Sequence, residues 1–385
     1  MEKHKLLVID GAPLASPTPS GISFLTANMI NAIASGLPKD TRLKVFLPLG
    51  KKLLVDSQWN LNDRIELCTL PLPLRIINAL QRRRALPPID LFFGRGVYLF
   101  TNYRLLKISK SSKAITYVHD AAYALYPDTL EEVNRKHLQR EVPFSFEHSD
   151  IIITLTETSK RELITQYPAG GDKIQVVGCG VDVNQFTHSD TSTTLKTIGV
   201  EKKKYYLTVG NIEPRKNLEY VLDVYKAAVD KHVIPKSHPL VIVGWAGWND
   251  EGIRSKVSQL KVAGYSIILP SHKVTTPQLG ALYKSAINTL CFSVHEGFGM
   301  VPIESMSCGT VPIVSDISVF HEVCGDAAYY VTLNDVNRAV EQLSEFLTRK
   351  TDATIIKKMS SRYTWASAAS KVITIEDKLQ AGINE

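Results

Sequence analysis

The sequence predicts an α/β protein made of two successive doubly wound domains. Three observations carry that expectation. Short apolar runs recur along the chain, helical patterns separate them, and one polar stretch interrupts the rhythm near the middle. Strands alternating with helices over such distances indicate parallel sheets built from βαβ units. A length of 385 residues also exceeds what a single ordinary core organises.

Taken in order, strand segments are expected at KLLVID (5–10), LKVFLP (43–48), IDLFF (89–93), AITYV (114–118), DIIITL (150–155) and KIQVVG (173–178). ISFLTANMINAIAS (22–35) and EEVNRKHLQREVPFSFEH (131–148) carry helical periodicity. A first domain then covers 1–182. Residues 183–204, rich in Ser, Thr and Lys, read as a linker. The rhythm restarts with YYLTVG (205–210), PLVIVG (239–244), YSIILP (265–270), INTLCFS (287–293) and TVPIVSD (310–316), giving a second domain over 205–360. Both domains are expected to be Rossmann-like. In such open sheets ligands bind beyond the carboxyl ends of the strands.

Composition narrows the class. The chain is 44% apolar and 22% charged, as soluble globular proteins are. No signal-peptide pattern opens it and no apolar run reaches membrane-spanning length. Cys68, Cys179, Cys291, Cys308 and Cys324 form no CxxC pair, which points to reduced thiols in a cytoplasmic protein rather than a disulfide framework or zinc site. Residues 1–119 hold 17 Lys plus Arg against 7 Asp plus Glu, a net of +10, and the remainder holds 28 against 31. The basic third suggests an anionic partner. In PLRIINALQRRRALPP (73–88), Leu74, Ile76, Ile77 and Leu80 make an apolar stripe beside Arg82, Arg83 and Arg84. Such a helix either lies on an anionic membrane surface or packs its stripe on its own domain. Nucleic acid is disfavoured, because no binding motif appears and aromatics are few.

Four stretches carry chemistry. In VGNIEPRKNLEYVLDVYKAA (209–228) a strand ends at Gly210 and Asn217 is placed to cap a helix. Arg215 and Lys216 then stand at a strand's carboxyl end beside a helix N-terminus, suited to a diphosphate; a solvated basic turn is the alternative. HEGFGMVPIESMSCGTVPIVSD (295–316) places Gly297 and Gly299 in a turn, Pro302 in a helix's first turn and Gly309 after its end. Glu296 on the loop lip and Glu304 on the first helical turn fit the vicinal hydroxyls of a nucleotide sugar. Alternatively, Glu304 serves the helix dipole and Glu296 is a surface acid. In AITYVHDAAYALYP (114–127), His119 and Asp120 follow a strand and are either structural or catalytic. IDGAPLASPTPSGISFLTANMI (9–30) is a loop with a helix starting near Gly21, without GxGxxG spacing. The chain has no P-loop, HExxH, GxSxG or DxD motif. A transferase built this way stabilises its leaving diphosphate with Arg215, Lys216 and helix dipoles rather than a metal.

GNIEPRKN, HEGFGMVPIES with its Glu-x7-Glu spacing, VHD and DISVFHEVCGDAAYYV together resemble the GT4 family of retaining glycosyltransferases. The likeness runs over nearly the whole chain, to RYTWASAASKVI at 362–373. It implies a GT-B fold: two Rossmann-like domains facing across a cleft, acceptor on the first and nucleotide sugar on the second. The final segment, 361–385 with Trp365, would pack back on the N-terminal domain. By the same resemblance Glu304 binds ribose hydroxyls, and Arg215 and Lys216 the diphosphate. Glu296 with the backbone of Gly297, Phe298, Gly299 and Met300 meets the donor sugar, and His119 approaches it from the other domain. Gly21 lies in the loop facing donor phosphates and acceptor, and the Val274 main chain meets the base. Asn211 departs from the family, where arginine commonly follows the strand-closing glycine; Arg215 takes over that contact. The loop is common among mannosyltransferase-like members, which favours GDP-mannose as donor.

The implied reaction retains anomeric configuration by front-side attack of an acceptor hydroxyl, with no cofactor and no metal. The acceptor would be a glycan or lipid-linked glycan of O-antigen, capsule or exopolysaccharide type, at the inner face of the cytoplasmic membrane. Two rivals remain open. A GT-B sugar-nucleotide 2-epimerase would form product without an acceptor. A non-catalytic GT-B scaffold would bind donor without turnover.

Overall fold

The computed structural model describes residues 5–186, 190–244, 251–349 and 352–384. The chain divides into two compact units. The first comprises Met1–Ala124, Glu132–Gly180 and Thr364–Glu385; the second comprises Leu125–Glu131 and Val181–Tyr363.

The first unit holds a seven-stranded sheet of β1 (Lys5–Asp10), β2 (Thr41–Pro48), β3 (Ile65–Leu70), β4 (Val97–Phe100), β5 (Lys113–Tyr117), β6 (Ile151–Thr154) and β7 (Ile174–Val176), in the order β3-β2-β1-β4-β5-β6-β7. The second holds six strands, β8 (Tyr206–Val209), β9 (Leu240–Val243), β10 (Ile267–Ile268), β11 (Thr289–Cys291), β12 (Pro312–Ser315) and β13 (Tyr329–Val331), in the order β10-β9-β8-β11-β12-β13. Every strand pair is parallel. Both sheets therefore reverse direction beside their first strand, the doubly wound arrangement, and ligands bind at such a reversal. The central strands are buried almost throughout, as parallel sheets covered on both faces require.

Two local readings change. IDLFF is not a strand: Asp90–Phe93 is a single helical turn. The buried Asp90 carboxylate accepts hydrogen bonds from Ser109 N (2.9 Å), Ser112 Oγ (2.8 Å) and Ser109 Oγ; Ile89 and Phe93 turn into the core while Leu91 and Phe92 stay exposed. Residues 183–204 are not a bare linker. Val183–Phe186 is a 3-10 turn and Thr191–Ile198 a helix, started by Asp190 accepting from Ser192 N and Thr193 N and ended by Gly199 in the left-handed region. Leu195, Ile198 and Val200 pack against Tyr205, Leu207 and Tyr283, so this segment belongs to the second unit's core.

The last helix, Trp365–Asn384, folds with the first unit beside helix Gly21–Gly36. Gln380 Nε2 donates to Leu6 O at 2.8 Å and Lys5 pairs with Asp377 at 2.8 Å, tying the helix to β1. The chain passes so closely here that a Cβ on Gly180 would lie 2.1 Å from Trp365 N, leaving room for glycine alone.

Helix Leu74–Arg82 splits the stripe expected of it. Ile77 is buried and Leu80 partly so, whereas Leu74 and Ile76 are exposed with Arg82 and Arg83. Arg84 leaves the basic cluster. Its Nη1 donates to Glu141 Oε2 at 3.1 Å and its guanidinium lies 3.6 Å over the Phe144 ring. Glu141 is wholly buried, and burial would raise its carboxyl. Donors on Arg140, Gln81 and Arg84 overcome that and hold it below its usual range.

Candidate active site

The second unit's reversal lies between β8 and β11, which are hydrogen-bonded neighbours with Thr289 opposite Leu207. Residues from the loops after these two strands meet there. After β8, the 3-10 turn Pro214–Lys216 presents both cations. Asn217 follows with φ 52°, starting helix Leu218–Asp230 by its left-handed backbone; its side chain makes no cap hydrogen bond. Val294 N donates to Arg215 O at 3.0 Å, stitching the β11 loop to the β8 loop.

Glu296 is the centre of this junction. It is buried, not on the loop lip. Arg215 Nη1 donates to Glu296 Oε2 and Lys216 Nζ to Glu296 Oε1, both at 2.6 Å. Ser293 Oγ adds a third donor to Oε1 at 2.8 Å. Arg215 also donates to His295 O at 3.0 Å and to Glu213 Oε1 at 2.7 Å. Burial alone would push the Glu296 carboxyl up, but the two adjacent cations and their hydrogen bonds hold it far below the usual carboxylate range. The two cations are thus already oriented by the protein, and Lys216 keeps ammonium protons beyond the one given to Glu296.

The Gly297–Met300 turn comes next. Gly299 has φ +87°, and a Cβ there would sit 2.6 Å from the Phe320 ring, so glycine is required twice over. Phe298 is buried with its ring edge-on to Tyr363 at 5.1 Å, so it offers a ligand backbone only. Helix Met300–Ser307 starts from Gly299 without a side-chain cap. Its first-turn N–H groups and dipole form an anion-binding end, although Pro302 contributes no N–H. Glu304 sits on the second turn, one residue beyond where the dipole is strongest, and accepts from Tyr283 Oη at 2.8 Å. Burial pushes its carboxyl up, against the opposing effects of Tyr283 and Lys216. A cavity of about 20 Å³ behind the turn is lined by Lys216, Ser293, Glu296 and Gly299. It is water-sized. Val274 precedes the cap residue Thr275 of helix Thr276–Ser285, with its side chain against the core. Asn211 is exposed. Among the described residues, no group of three or more His, Cys, Asp or Glu converges as metal ligands would.

In the first unit, His119 follows β5 and is buried between Tyr103 and Tyr117, at ring distances of 5.0 and 5.5 Å. Its Nε2 faces Thr101 O at 3.1 Å and so carries the proton. Nδ1 is then an acceptor, with no partner among the described residues. Burial lowers the imidazole to about 4, outweighing Asp120. Thr101 Oγ1 donates to Asp10 O at 2.9 Å, linking this site to the end of β1. Asp10 is buried, with its carboxyl pushed up by burial. Gly21 begins its helix with no atom within 4 Å of where a Cβ would point, so no protein contact demands glycine there.

Two family models match this chain: glycosyl transferases group 1 over residues 193–362 and glycosyltransferase family 4 over residues 33–185. The chain is a glycosyltransferase that carries both of these domains. O-antigen chain mannosyltransferase B of Escherichia coli is 25% identical over 269 residues, covering 68% of this chain and 67% of that protein. O-antigen chain mannosyltransferase RfbU of Salmonella typhimurium is 28% identical over 263 residues, covering 67% and 68%. Among solved structures, Anabaena HepE in complex with UDP and glucose superposes with a TM-score of 0.68 at 14% identity, covering 97% of this chain and 99% of that one. WaaG, a glycosyltransferase involved in lipopolysaccharide biosynthesis, gives 0.65 at 13% identity, covering 96% and 99%. These likenesses establish the fold as GT-B.

Each unit, taken by itself, carries polar residues that motif reading passed over. Ser293 and Tyr283 reach the two glutamates, Glu213 braces Arg215, and Asp10 ends β1. Each is a common residue type in an unremarkable local sequence; Tyr283 meets Glu304 from 21 positions away, whereas Ser293 and Glu213 act on residues only three and two positions along.

Proposed function

We propose that this glycosyltransferase moves a hexose, with mannose favoured, from a nucleotide sugar to a hydroxyl of a glycan or lipid-linked glycan, retaining anomeric configuration without a metal. The observation that carries the reading is the Arg215–Glu296–Lys216 cluster beside the uncapped helix start at Met300. There Lys216, Arg215 and the first-turn N–H groups stabilise the charge that grows on the departing diphosphate. The acceptor oxygen bonds to the anomeric carbon on the face the diphosphate leaves, and its proton passes to the leaving phosphate oxygen. Glu304 takes the ribose hydroxyls, and neutral His119 accepts a hydrogen bond from a sugar hydroxyl through Nδ1. The mannosyltransferase relatives support mannose, hence GDP-mannose, and O-antigen-type glycan as product. A neighbour of this fold holds UDP and glucose, so uridine donors belong in the same screen. Exposed Leu74, Ile76, Arg82 and Arg83 suit an anionic membrane surface at the cytoplasmic leaflet.

The test is a thermal-shift screen against GDP-mannose, UDP-glucose, UDP-N-acetylglucosamine, dTDP-rhamnose and free nucleotides, followed by product analysis with and without acceptor and chelator. A hundredfold excess over Kd stabilises by about 2.7 kcal/mol. GDP-mannose is expected to shift the wild type, to shift Glu304→Ala less, and to yield product only with acceptor, undiminished by chelator. No shift with any nucleotide would overturn the donor site. A new sugar nucleotide formed without acceptor would establish an epimerase instead.

A further inference from the structure

We propose that Tyr283 is a positioning residue for the donor nucleotide: its hydroxyl, reaching out of the core, holds one oxygen of Glu304 so that the carboxylate presents its remaining acceptor positions to a vicinal diol. The proposal rests on the reading of Glu304 as the ribose partner. Tyr283 lies on helix Thr276–Ser285, fully buried in the cluster of Leu195, Tyr205 and Leu207, with Phe186 edge-on at 6.0 Å. Thr310 Oγ1 donates to the Tyr283 carbonyl at 2.7 Å, pinning the backbone at that residue. The phenol is therefore held on a rigid element, and it is the hydrogen-bond donor to Glu304 among the described residues, at 2.8 Å. A diol needs two acceptor positions in fixed relation, and a carboxylate free to rotate supplies them less often. Burial and Glu304 itself keep the phenol protonated, so it donates at every working pH. The other groups facing Glu304 are Lys216 from the β8 loop, Cys291 on β11 and Cys308 at the end of its own helix. Both thiols are held neutral by burial. Lys216 and Tyr283 are thus the groups that oppose the rise burial imposes on the Glu304 carboxyl.

The experiment is donor-nucleotide titration by calorimetry, with steady-state kinetics, on wild type, Tyr283→Phe, Glu304→Gln and the double variant from pH 5 to 8. Tyr283→Phe is expected to raise Kd and KM for the donor about tenfold, the value of one hydrogen bond to a charged group. Its kcat should change less than twofold, and the acid limb of binding should move to higher pH. In the Glu304→Gln background the same substitution should change Kd little, a non-additivity that loss of packing alone would not give. Wild-type Kd and an unmoved limb in folded Tyr283→Phe, with Glu304→Gln weakened, would overturn this inference while leaving the donor site standing. If Tyr283→Phe fails to fold, an additive loss in Tyr283→Trp and its Glu304→Gln double variant would overturn it. Unchanged binding in Glu304→Gln would remove both the ribose reading and this one.

Discussion

Beyond β8 and β11 the second unit gathers a carboxylate, an ammonium and a guanidinium within hydrogen-bond distance of each other. Beyond β1, β4 and β5 the first unit, with the same strand order, gathers two groups whose charged forms burial disfavours: the His119 imidazole, lowered to about 4, and the Asp10 carboxyl, pushed up. One reversal point carries ionised side chains held in mutual contact, and the other carries side chains whose charged forms burial disfavours. The units also bury carboxylates differently. Glu296 is held by two cations and Ser293, whereas Glu376 on the last helix is fully buried and neither oxygen accepts a hydrogen bond among the described residues. Topology sets where a ligand binds; the few side chains delivered there set what it is.

The largest expected effect tests the charged side of that comparison. Lys216→Ala should lower kcat about 10²–10³-fold, the usual loss when one donor to a developing oxyanion is removed, with the fold intact because Arg215 and Ser293 still hold Glu296. His119→Ala should cost less, about tenfold for one neutral hydrogen bond, and should leave the pH–rate profile between 5.5 and 8 unchanged in shape. A limb near pH 6.5 that vanishes in His119→Ala would break the contrast between a charged and a neutral site.

The second test sharpens the contrast between the buried glutamates. Burial raises Glu376 to about 7, above the roughly 4.3 of an unfolded chain. The native state therefore holds its proton more tightly than the unfolded state. The destabilisation is absent below about pH 4, grows as pH rises, and is complete above pH 7. Glu376→Gln should raise stability by up to about 3 kcal/mol at pH 8, by about 1 kcal/mol at pH 5 and hardly at all below about pH 4. Equal melting temperatures of variant and wild type at pH 8 would show that Glu376 finds a partner in solution.

The smallest effect concerns the basic helix. Arg82→Ala/Arg83→Ala should reduce flotation with vesicles rich in phosphatidylserine, by on the order of 1 kcal/mol per cation near the surface. Arg84→Ala should instead lower the melting temperature, since Arg84 is committed to Glu141. Unchanged flotation in the double variant would sink the membrane reading.

Much of the fold was legible because apolar runs report burial directly. KLLVID and PLVIVG became β1 and β9, and the Gly-Phe-Gly-Met turn leads into the helix its Pro302 and Gly309 announce. IDLFF was misread because a short apolar run does not distinguish a strand from one helical turn. Asp90's three donors come from Ser109 and Ser112, some 20 residues away. Strands β3, β4 and β13 were missed because they are short or carry polar residues between apolar ones.

The sequence by itself determined the two-domain α/β plan, the loops that bear the polar residues and the family, since periodicity and motif spacing are local properties. Which of those residues touch was decided only in three dimensions. Glu296 and Lys216 are 80 positions apart and meet because β11 inserts beside β8. Burial there turns a surface-looking acid into a buried carboxylate held between two cations, and contact with Tyr283 gives Glu304 its orientation. Charge, burial and hydrogen-bond partner are properties of the assembled neighbourhood, and residue order along the chain encodes them only through the packing it produces.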